Sequence, residues 1–190
     1  MTIGFALCGS FCTFSQVFPV LEALSSAHTV IPIFSYSASQ TDSRFGQAAD
    51  FLRRAEVLTG QTPITTLAAA EPIGPKKLLD LLIIAPCTGN TLAKLAAGIA
   101  DTPVTMAAKS HLRNARPILL AVSSNDALAG AAGNIGKLLA RKHYYFVPFR
   151  QDDPVKKPTS AVADFRLIPE AARLAVEGNQ LQPILLGADR

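Results

Sequence analysis

Residues 81–99 constrain the possible folds of this chain more than any other stretch. They begin with four apolar residues, LLII, a run typical of a β-strand buried on both faces of a parallel sheet. We expect the strand to end at residues 85–87, because Pro86 has no N–H to donate to a neighbouring strand. The apolar residues that follow recur at helical spacing and Gly98 lies near their end, so a helix is predicted there.

The four residues between that strand and helix predict an anion-binding loop. Backbone N–H groups at a helix N-terminus have no partner within the helix, and the helix dipole places positive charge beside them. Thr88, Asn90 and Thr91 add side-chain donors, and Gly89 lies among them.

The rest of the chain alternates between predicted strands and helices. Strands are predicted at 3–7, 29–34, 117–122 and 144–147, with weaker ones at 63–67 and 183–186; helices are predicted near 14–27, 48–58, 104–112, 134–142 and 168–177; and polar or proline-containing loops are predicted at 35–39, 68–75 and 151–160. Pro32 indicates that the strand at 29–34 either lies at a sheet edge or contains a bulge. This order predicts an α/β fold: one domain over 1–190 with a doubly wound, mostly parallel sheet in a three-layer sandwich. Its core would span about 2–150, with a flap and a C-terminal helix in 151–190.

Four predicted strands are followed by small polar loops. They are Gly9-Ser10, which precedes a helix that Ser10 or Thr13 could cap, then residues 35–39, 88–91 and 123–125. Ligands of open α/β sheets bind outside the carboxyl ends of the strands. We therefore expect a phosphorylated cofactor with a flat apolar part, either FMN or a nicotinamide nucleotide.

Composition excludes several other classes of protein. The chain has a net charge of +4 but no run of five basic residues, so a nucleic-acid-binding tail is not expected. No stretch resembles a signal peptide or a membrane span. Hydrophobic residues make up 49% and charged residues 17% of the chain, and the mean hydropathy is +0.27, which favours an oligomer with part of its surface buried between copies.

The three cysteines, Cys8, Cys12 and Cys87, argue against a disulfide framework and for a cytoplasmic protein. Each is expected to act as a small, partly buried apolar residue. Cys8 and Cys87 both follow predicted strands, so we expect them to come close together at one edge of the sheet.

Two lysine pairs are candidate contacts for an acidic substrate, although exposed lysines are usually just solvated. Lys76 and Lys77 follow a proline-rich turn, and Lys156 and Lys157 lie in the charged segment 151–160. No pattern indicates a metal site, and no residue stands out as a catalytic acid or base.

The stretch APCTGNT at 85–91, followed by AKLA at 93–96 and GIAD at 98–101, resembles the PASANT loop and helix of the flavin-dependent cysteine decarboxylase superfamily. The resemblance extends over most of residues 2–150. It implies a flavodoxin-like, Rossmann-like fold, bound FMN, and trimers with flavin at the subunit contacts. The closest likeness within the superfamily is carried by residues 3–14, 71–79, 85–112 and 146–158. This likeness is to an oxidoreductase component of sporulating bacteria, which acts on a cyclic dicarboxylate together with a dehydrogenase-like partner chain.

The resemblance also implies residue roles. The FMN phosphate would be held by Gly9, Ser10, Ser35 or Ser37, Thr88, Asn90 and Thr91; Phe11 and Gly89 lie in the same loops, and Ser123 and Asn125 would lie near the isoalloxazine ring.

Two positions depart from the family pattern. The decarboxylases use a histidine after the second helix as a base, whereas this chain has only His28, His111 and His143, and residues 58–63 contain none. The family's proline-methionine-asparagine stretch is replaced by Ser-Ser-Asn at 123–125. Three hypotheses remain: an oxidoreductase subunit using FMN or NADP, a non-catalytic nucleotide-binding subunit, and a flavin-dependent decarboxylase or prenyltransferase.

Overall fold

The computed structural model describes residues 1–187. Its strands are β1 (Thr2–Leu7), β2 (Thr29–Phe34), β3 (Leu81–Cys87), β4 (Ile118–Ser124), β5 (Tyr144–Phe146), β6 (Phe149–Asp153) and β7 (Lys157–Ala163). Its α-helices are α1 (Phe14–Ala27), α2 (Tyr36–Gln40), α3 (Ala48–Thr59), α4 (Leu67–Ala70), α5 (Gly89–Ala97), α6 (Pro103–Leu112), α7 (Ala132–Leu139) and α8 (Ile168–Val176), and short 3₁₀ helices cover Phe11–Thr13, Glu71–Ile73 and Phe165–Leu167.

The strands form one sheet in the order β2-β1-β3-β4-β7-β6, with β5 also paired to β4. Pairing is parallel among β1 to β5 and antiparallel where β7 joins β4 and β6. The prediction of a mostly parallel α/β sheet is confirmed, and β2 is an edge strand as Pro32 indicated. β3 is buried along its whole length, as its run of apolar residues requires.

β4 changes partner along its length, and this change positions a hairpin. Residues 118–120 pair with β5, whereas Ser123 and Ser124 pair with Val162 and Ala161 of β7. The β6–β7 hairpin therefore extends the sheet at the carboxyl end of the parallel strands. Sequence reasoning assigned 151–160 to a loop or flap; that was wrong, because its polar residues and prolines belong to the exposed tip of this hairpin.

β3 ends at Cys87, inside the stretch 85–87 where its end is predicted, and it includes Pro86, because its pairing with β4 shifts register between Ile84 and Cys87. Other local predictions need correction. Residues 36–40 are helical, since the Ser35 hydroxyl accepts the Ala38 N–H at 3.2 Å and caps α2.

The weaker strands at 63–67 and 183–186 are single bridges, Ile64 to Ile33 and Leu185 to Phe149, and much of 68–75 is helical. These segments are too short for the spacing of their apolar residues to distinguish a strand from a helix or a loop.

The helices form two packed groups, α1 with α3 and α8, and α5 with α6 and α7. Thr88 caps α5 at one end and Gly98, with φ 74°, ends it at the other, as predicted. Along residues 1–187, no helix combines the length and the apolar character needed to cross a membrane.

Candidate functional site

Two adjoining pockets lie at the carboxyl ends of the parallel strands. The first, named here the hydroxyl pocket, has a volume of about 400 Å³. It is lined by Gly9, Ser35, Tyr36, Ser37, Thr88, Asn90, Thr91, Lys94 and Thr102. These side chains include hydroxyls, one amide and one ammonium group but no carboxylate, a composition that suits an anion.

The amino end of α5 forms one wall of the hydroxyl pocket. Thr88 Oγ1 accepts the Thr91 N–H at 3.4 Å, while the N–H groups of Gly89 and Asn90 precede the first intrahelical bond. The Lys94 ammonium is held by the two carboxylate oxygens of Asp101 at 2.7 and 2.8 Å, and this contact lowers the pKa of Asp101. The backbone N–H donors, the α5 dipole and the Lys94 ammonium thus all act on the hydroxyl pocket.

Thr91 also links the loop to the buried core. Its hydroxyl lies 3.2 Å from the Thr88 hydroxyl and donates to the Cys8 sulfur at 3.3 Å. Burial raises the pKa of the Cys8 thiol to about 11 and that of Cys87 well above its usual range, and Cys8 adds to the effect on Cys87. The two thiols are close together, as expected, and remain protonated. The Thr91 hydroxyl is therefore positioned to fix the loop rather than to be fully free for a ligand.

The second pocket, named the hairpin pocket, has a volume of about 630 Å³ and shares Gly9 and Thr88 with the first. Its lining includes Ser10, Phe11, Cys12, Thr13, Gln16 and Phe45, residues 123–126 after β4, and Asp152, Lys157, Ser160, Ala161 and Val162 of the hairpin. The hydroxyls of Ser10 and Ser123 lie 2.8 Å apart and join the ends of β1 and β4. Because they share Gly9 and Thr88, the two pockets adjoin, and together they are called the cleft.

Aromatic rings line one side of the hairpin pocket. Phe11 packs against Phe14 with ring centroids 5.5 Å apart and is stacked on Phe51 at 6.5 Å. Phe45 is 46% exposed, and the Arg44 guanidinium lies 4.9 Å from its ring centroid. A flat apolar group bound in this pocket would contact Phe11 and Phe45 and extend towards the polar end of β4.

The hairpin carries the charged side chains on the opposite side. Lys157 Nζ lies 2.8 Å from Asp152 Oδ2, which also accepts a hydrogen bond from the Ser160 hydroxyl at 3.3 Å. Contact with Asp152 raises the pKa of Lys157, so the ammonium stays protonated. Asp126 is the other acidic residue of the pocket and accepts a hydrogen bond from Ser124.

Gly89 contributes through its lack of a side chain. A Cβ at this position would lie 2.6 Å from Asp126 Oδ1 and 2.7 Å from the Ser124 hydroxyl. Both atoms are ends of flexible side chains, which a Cβ would displace, so glycine lets the 124–126 turn keep this close approach to the start of α5.

Comparison with known proteins decides the family of this chain. A model of the family described as Flavoprotein matches residues 1–149. The chain belongs to the flavoprotein family.

Individual relatives are also similar over nearly the whole chain. The B subunit of dipicolinate synthase from Bacillus subtilis (strain 168) is 45% identical over 185 residues, covering 97% of this chain and 92% of the relative. The crystal structure of the B subunit of dipicolinate synthase from Bacillus halodurans C has a TM-score of 0.89 at 40% identity and covers 98% of this chain and 96% of its own. An FMN-dependent cysteine decarboxylase, SpaF, shares the fold with a TM-score of 0.68 at 22% identity, covering 93% and 97%.

The structure brings almost all of the predicted cofactor residues of this flavoprotein to the cleft. Gly9, Ser35, Ser37, Thr88, Asn90 and Thr91 line the hydroxyl pocket, and Ser10, Phe11, Ser123 and Asn125 line the hairpin pocket. Ser10 thus lies in the second pocket and not beside the others expected to hold phosphate. Gly89 begins α5 between two residues of the hydroxyl pocket and lies against the 124–126 turn of the hairpin pocket. Their roles as ligand contacts stay predictions.

The four lysines are placed differently. Lys157 lines the hairpin pocket, and Lys156 lies in the exposed turn between β6 and β7. Lys76 and Lys77 precede β3 at the amino edge of the sheet, where Arg116 donates to the Lys77 carbonyl. The structure does not bring these two to the cleft, because the segment that contains them leads into the start of a strand.

Several cleft residues were missed from the sequence. Phe45, Gln16 and Asp152 reach the hairpin pocket from separate segments, and no local pattern connects them. Lys94 was visible in the helix after the loop, but only the structure shows that it lines the hydroxyl pocket. Cys12 was expected to be partly buried; it is exposed and lines the cleft.

None of the three histidines lines either pocket. His28 ends α1, His143 precedes β5, and His111 is buried in α6, where Nε2 lies 3.0 Å from the Pro117 carbonyl. The decarboxylase histidine that the sequence lacks is therefore not replaced in either pocket by a histidine from another segment.

Proposed function

We propose that this flavoprotein is the B subunit of a dipicolinate synthase, which oxidises dihydrodipicolinate to dipicolinate (pyridine-2,6-dicarboxylate). The observation that carries the proposal is the 45% identity to the Bacillus subtilis protein over 97% of this chain. The reaction removes two hydrogens from the ring of the substrate and leaves an aromatic pyridine, which favours oxidation.

FMN is the cofactor that best fits the cleft, and its phosphate is assigned to the hydroxyl pocket. The lining there combines Lys94, the Asn90 amide and hydroxyls with the amino end of α5, and it includes no carboxylate. An amino-terminal helix site with a fixed cation stabilises a dianion without any change in protonation. The contact with Asp101 holds the Lys94 ammonium in place at this pocket.

The flavin ring is assigned to the hairpin pocket, reached through the shared residues Gly9 and Thr88. Bound flavin would supply the two-electron acceptor for the hydrogens that leave the substrate. Phe11 and Phe45 give the ring an apolar surface, while Ser123 and Asn125 offer hydrogen bonds to its polar edge. This chain's own contribution is therefore binding, orientation and the shape of the space above the ring.

Lys157 is assigned to a substrate carboxylate. It is the cation of the hairpin pocket, and Asp152 holds it at the pocket wall with support from Ser160. The second carboxylate of the substrate would lie close to Asp126, which carries the same charge. We therefore expect part of the substrate site to come from another chain.

That other chain is the dehydrogenase-like A subunit of the same dipicolinate synthase or a second copy of this chain in a trimer. The proposal includes a cytoplasmic location in the mother cell of a sporulating bacterium, as the resemblance implies. NADP stays the alternative cofactor, since hydroxyl-rich loops accept any phosphate.

A second candidate function is a non-catalytic nucleotide-binding subunit. It is favoured by the absence of His28, His111 and His143 from both pockets, which also argues against the histidine-dependent decarboxylase reaction and leaves a prenyltransferase without specific support.

The deciding experiment measures visible absorption during titration with FMN, then dihydrodipicolinate oxidation with and without the A subunit. Uptake of about one flavin per chain, and turnover that falls when Lys157 is changed to Gln, would support the catalytic proposal. Flavin uptake with turnover that is insensitive to the Lys157 and Asn90 variants would support the non-catalytic role. If NADP binds and FMN does not, NADP replaces FMN as the proposed cofactor. If neither binds, the assignment of the cleft as a cofactor site is refuted.

A further inference from the structure

A separate pocket opens beside the carboxyl end of α5, away from the flavin cleft. It has a volume of about 330 Å³, within the range of small-molecule sites. Its apolar lining includes Leu95, Ile99, Leu112 and Tyr144. We name it the cation pocket because of the residues at its rim. The nine residues of α5 separate its mouth from the phosphate end of the cleft by about 13 Å at 1.5 Å per residue.

Three cations surround this pocket and no carboxylate lines it. They are Lys109 in the last turn of α6, Arg113 directly after that helix, and Arg141 after α7. Within residues 1–187 no acidic side chain lies within ion-pair distance of any of the three. Asp101, the nearest acidic residue in sequence to the pocket lining, is bound to Lys94 instead.

The three cations have different amounts of freedom. Arg141 donates to the carbonyls of Leu95 and Ala96 at 3.0 and 2.8 Å, so its guanidinium is fixed at the end of α5. Lys109 and Arg113 are exposed and repel each other at i, i+4 spacing. Their position near the end of α6 suits the helix dipole, but the dipole does not explain their convergence with Arg141 around an apolar pocket.

We propose that the cation pocket binds a small aromatic carboxylate. The apolar walls would take the ring, and the ammonium and guanidinium groups of Lys109 and Arg113 would take the carboxylate, relieving their repulsion. Tyr144 is mostly buried at the pocket and burial raises its pKa, so it stays a neutral hydroxyl and adds no negative charge. This site is independent of the reaction proposed for the cleft.

The test uses isothermal titration calorimetry with benzene-1,3-dicarboxylate, an aromatic dicarboxylate that has no ring nitrogen to chelate metals. We expect saturable binding to the intact protein that weakens at least tenfold in the Lys109→Gln, Arg113→Gln double variant. Benzamide, which has the ring without the charge, should bind at least tenfold more weakly than the dicarboxylate. Lys76→Gln, which removes an equally exposed charge at the amino edge of the sheet, is the matched control and should bind as the parent does.

Two more variants distinguish the pocket from the flavin cleft. Asn90→Asp and Lys157→Gln should leave this binding unchanged, whereas their effect on FMN or substrate reports on the function proposed above. Binding that disappears in those variants would assign the ligand to the cleft and overturn the proposal. The same conclusion would follow from no detectable binding, from binding indifferent to the double variant, or from self-association that only the double variant abolishes, since the face would then be an interface between copies.

Discussion

The buried imidazole of His111 makes a pH-dependent contribution to stability. The residue has no exposed surface; Nε2 lies 3.0 Å from the Pro117 carbonyl and Nδ1 has no hydrogen-bond partner. Burial lowers its pKa from 6.5 to about 4, with Arg116 adding to the shift and the Pro117 carbonyl and Asp80 opposing it. Because the unfolded chain binds a proton at higher pH than the folded chain, stability falls as pH drops from 6.5 towards 4.

The magnitude follows from the two pKa values. Each unit of difference corresponds to about 1.36 kcal/mol, so His111 accounts for about 3 kcal/mol across the whole window and about 2 kcal/mol between pH 7 and pH 4.5. Replacement of His111 by Leu removes the titrating group, and the Pro117 carbonyl keeps its hydrogen bond from the Leu82 N–H at 3.1 Å. We expect the variant to lose about 2 kcal/mol less free energy of unfolding than the parent over that pH range.

Urea denaturation of both proteins from pH 7 to pH 4.5, followed by circular dichroism, measures this difference. His143→Gln, which replaces a histidine outside the core, is the matched control. The reasoning is refuted if the His111→Leu variant shows the same loss of stability on acidification as the parent, whatever its stability at pH 7.

Three further predictions concern the cleft. Asn90→Asp should weaken FMN binding at least tenfold, because a carboxylate would face the phosphate, and unchanged affinity in the absorption titration would remove the start of α5 from the site. Gly89→Ala should weaken FMN binding, because the added Cβ displaces the side-chain ends of Asp126 and Ser124 in the cleft; it should change the free energy of unfolding by less than about 1 kcal/mol, because these ends can move, and unchanged FMN affinity in the absorption titration would contradict the argument. Lys157→Gln should raise KM for the dicarboxylate with little change in flavin affinity. Lys156→Gln, one residue away in the exposed turn, is the control and should change neither. Equal effects of the two variants in steady-state kinetics would contradict the assignment of Lys157 to a substrate carboxylate.

The meeting of the polar loops at one edge of the sheet was predictable from sequence, and the reason is local. Small polar residues directly after buried strands can be recognised without knowing which strands are neighbours, because the carboxyl ends of parallel strands share one edge. That is why Gly9, Ser37, Thr88 and Asn90 meet in one pocket as expected.

The missed features depend on contacts distant in sequence. The β6–β7 hairpin contains two prolines and consecutive charges, and it is a strand pair because β4 offers Ser123 and Ser124 as an unpaired edge beyond β5. Pro86 stays in β3 because of a register shift with β4, which no property of the local sequence reports. Tertiary pairing overrode local propensity in both places.

The Ser-Ser-Asn stretch at 123–125 gives the cleft a character of its own. The Ser123 hydroxyl lies 2.8 Å from the Ser10 hydroxyl and Ser124 donates to Asp126, so hydroxyl groups link the end of β4 to the loop after β1 and to its own following turn. A wall built from hydroxyls keeps its hydrogen-bonding capacity beside a polar ligand, where a methionine would offer only apolar contact. Such a wall suits a ring that carries carboxylates better than a thiol-bearing peptide end. The hydroxyl wall is therefore in keeping with the carboxylate-bearing substrate of the proposed function.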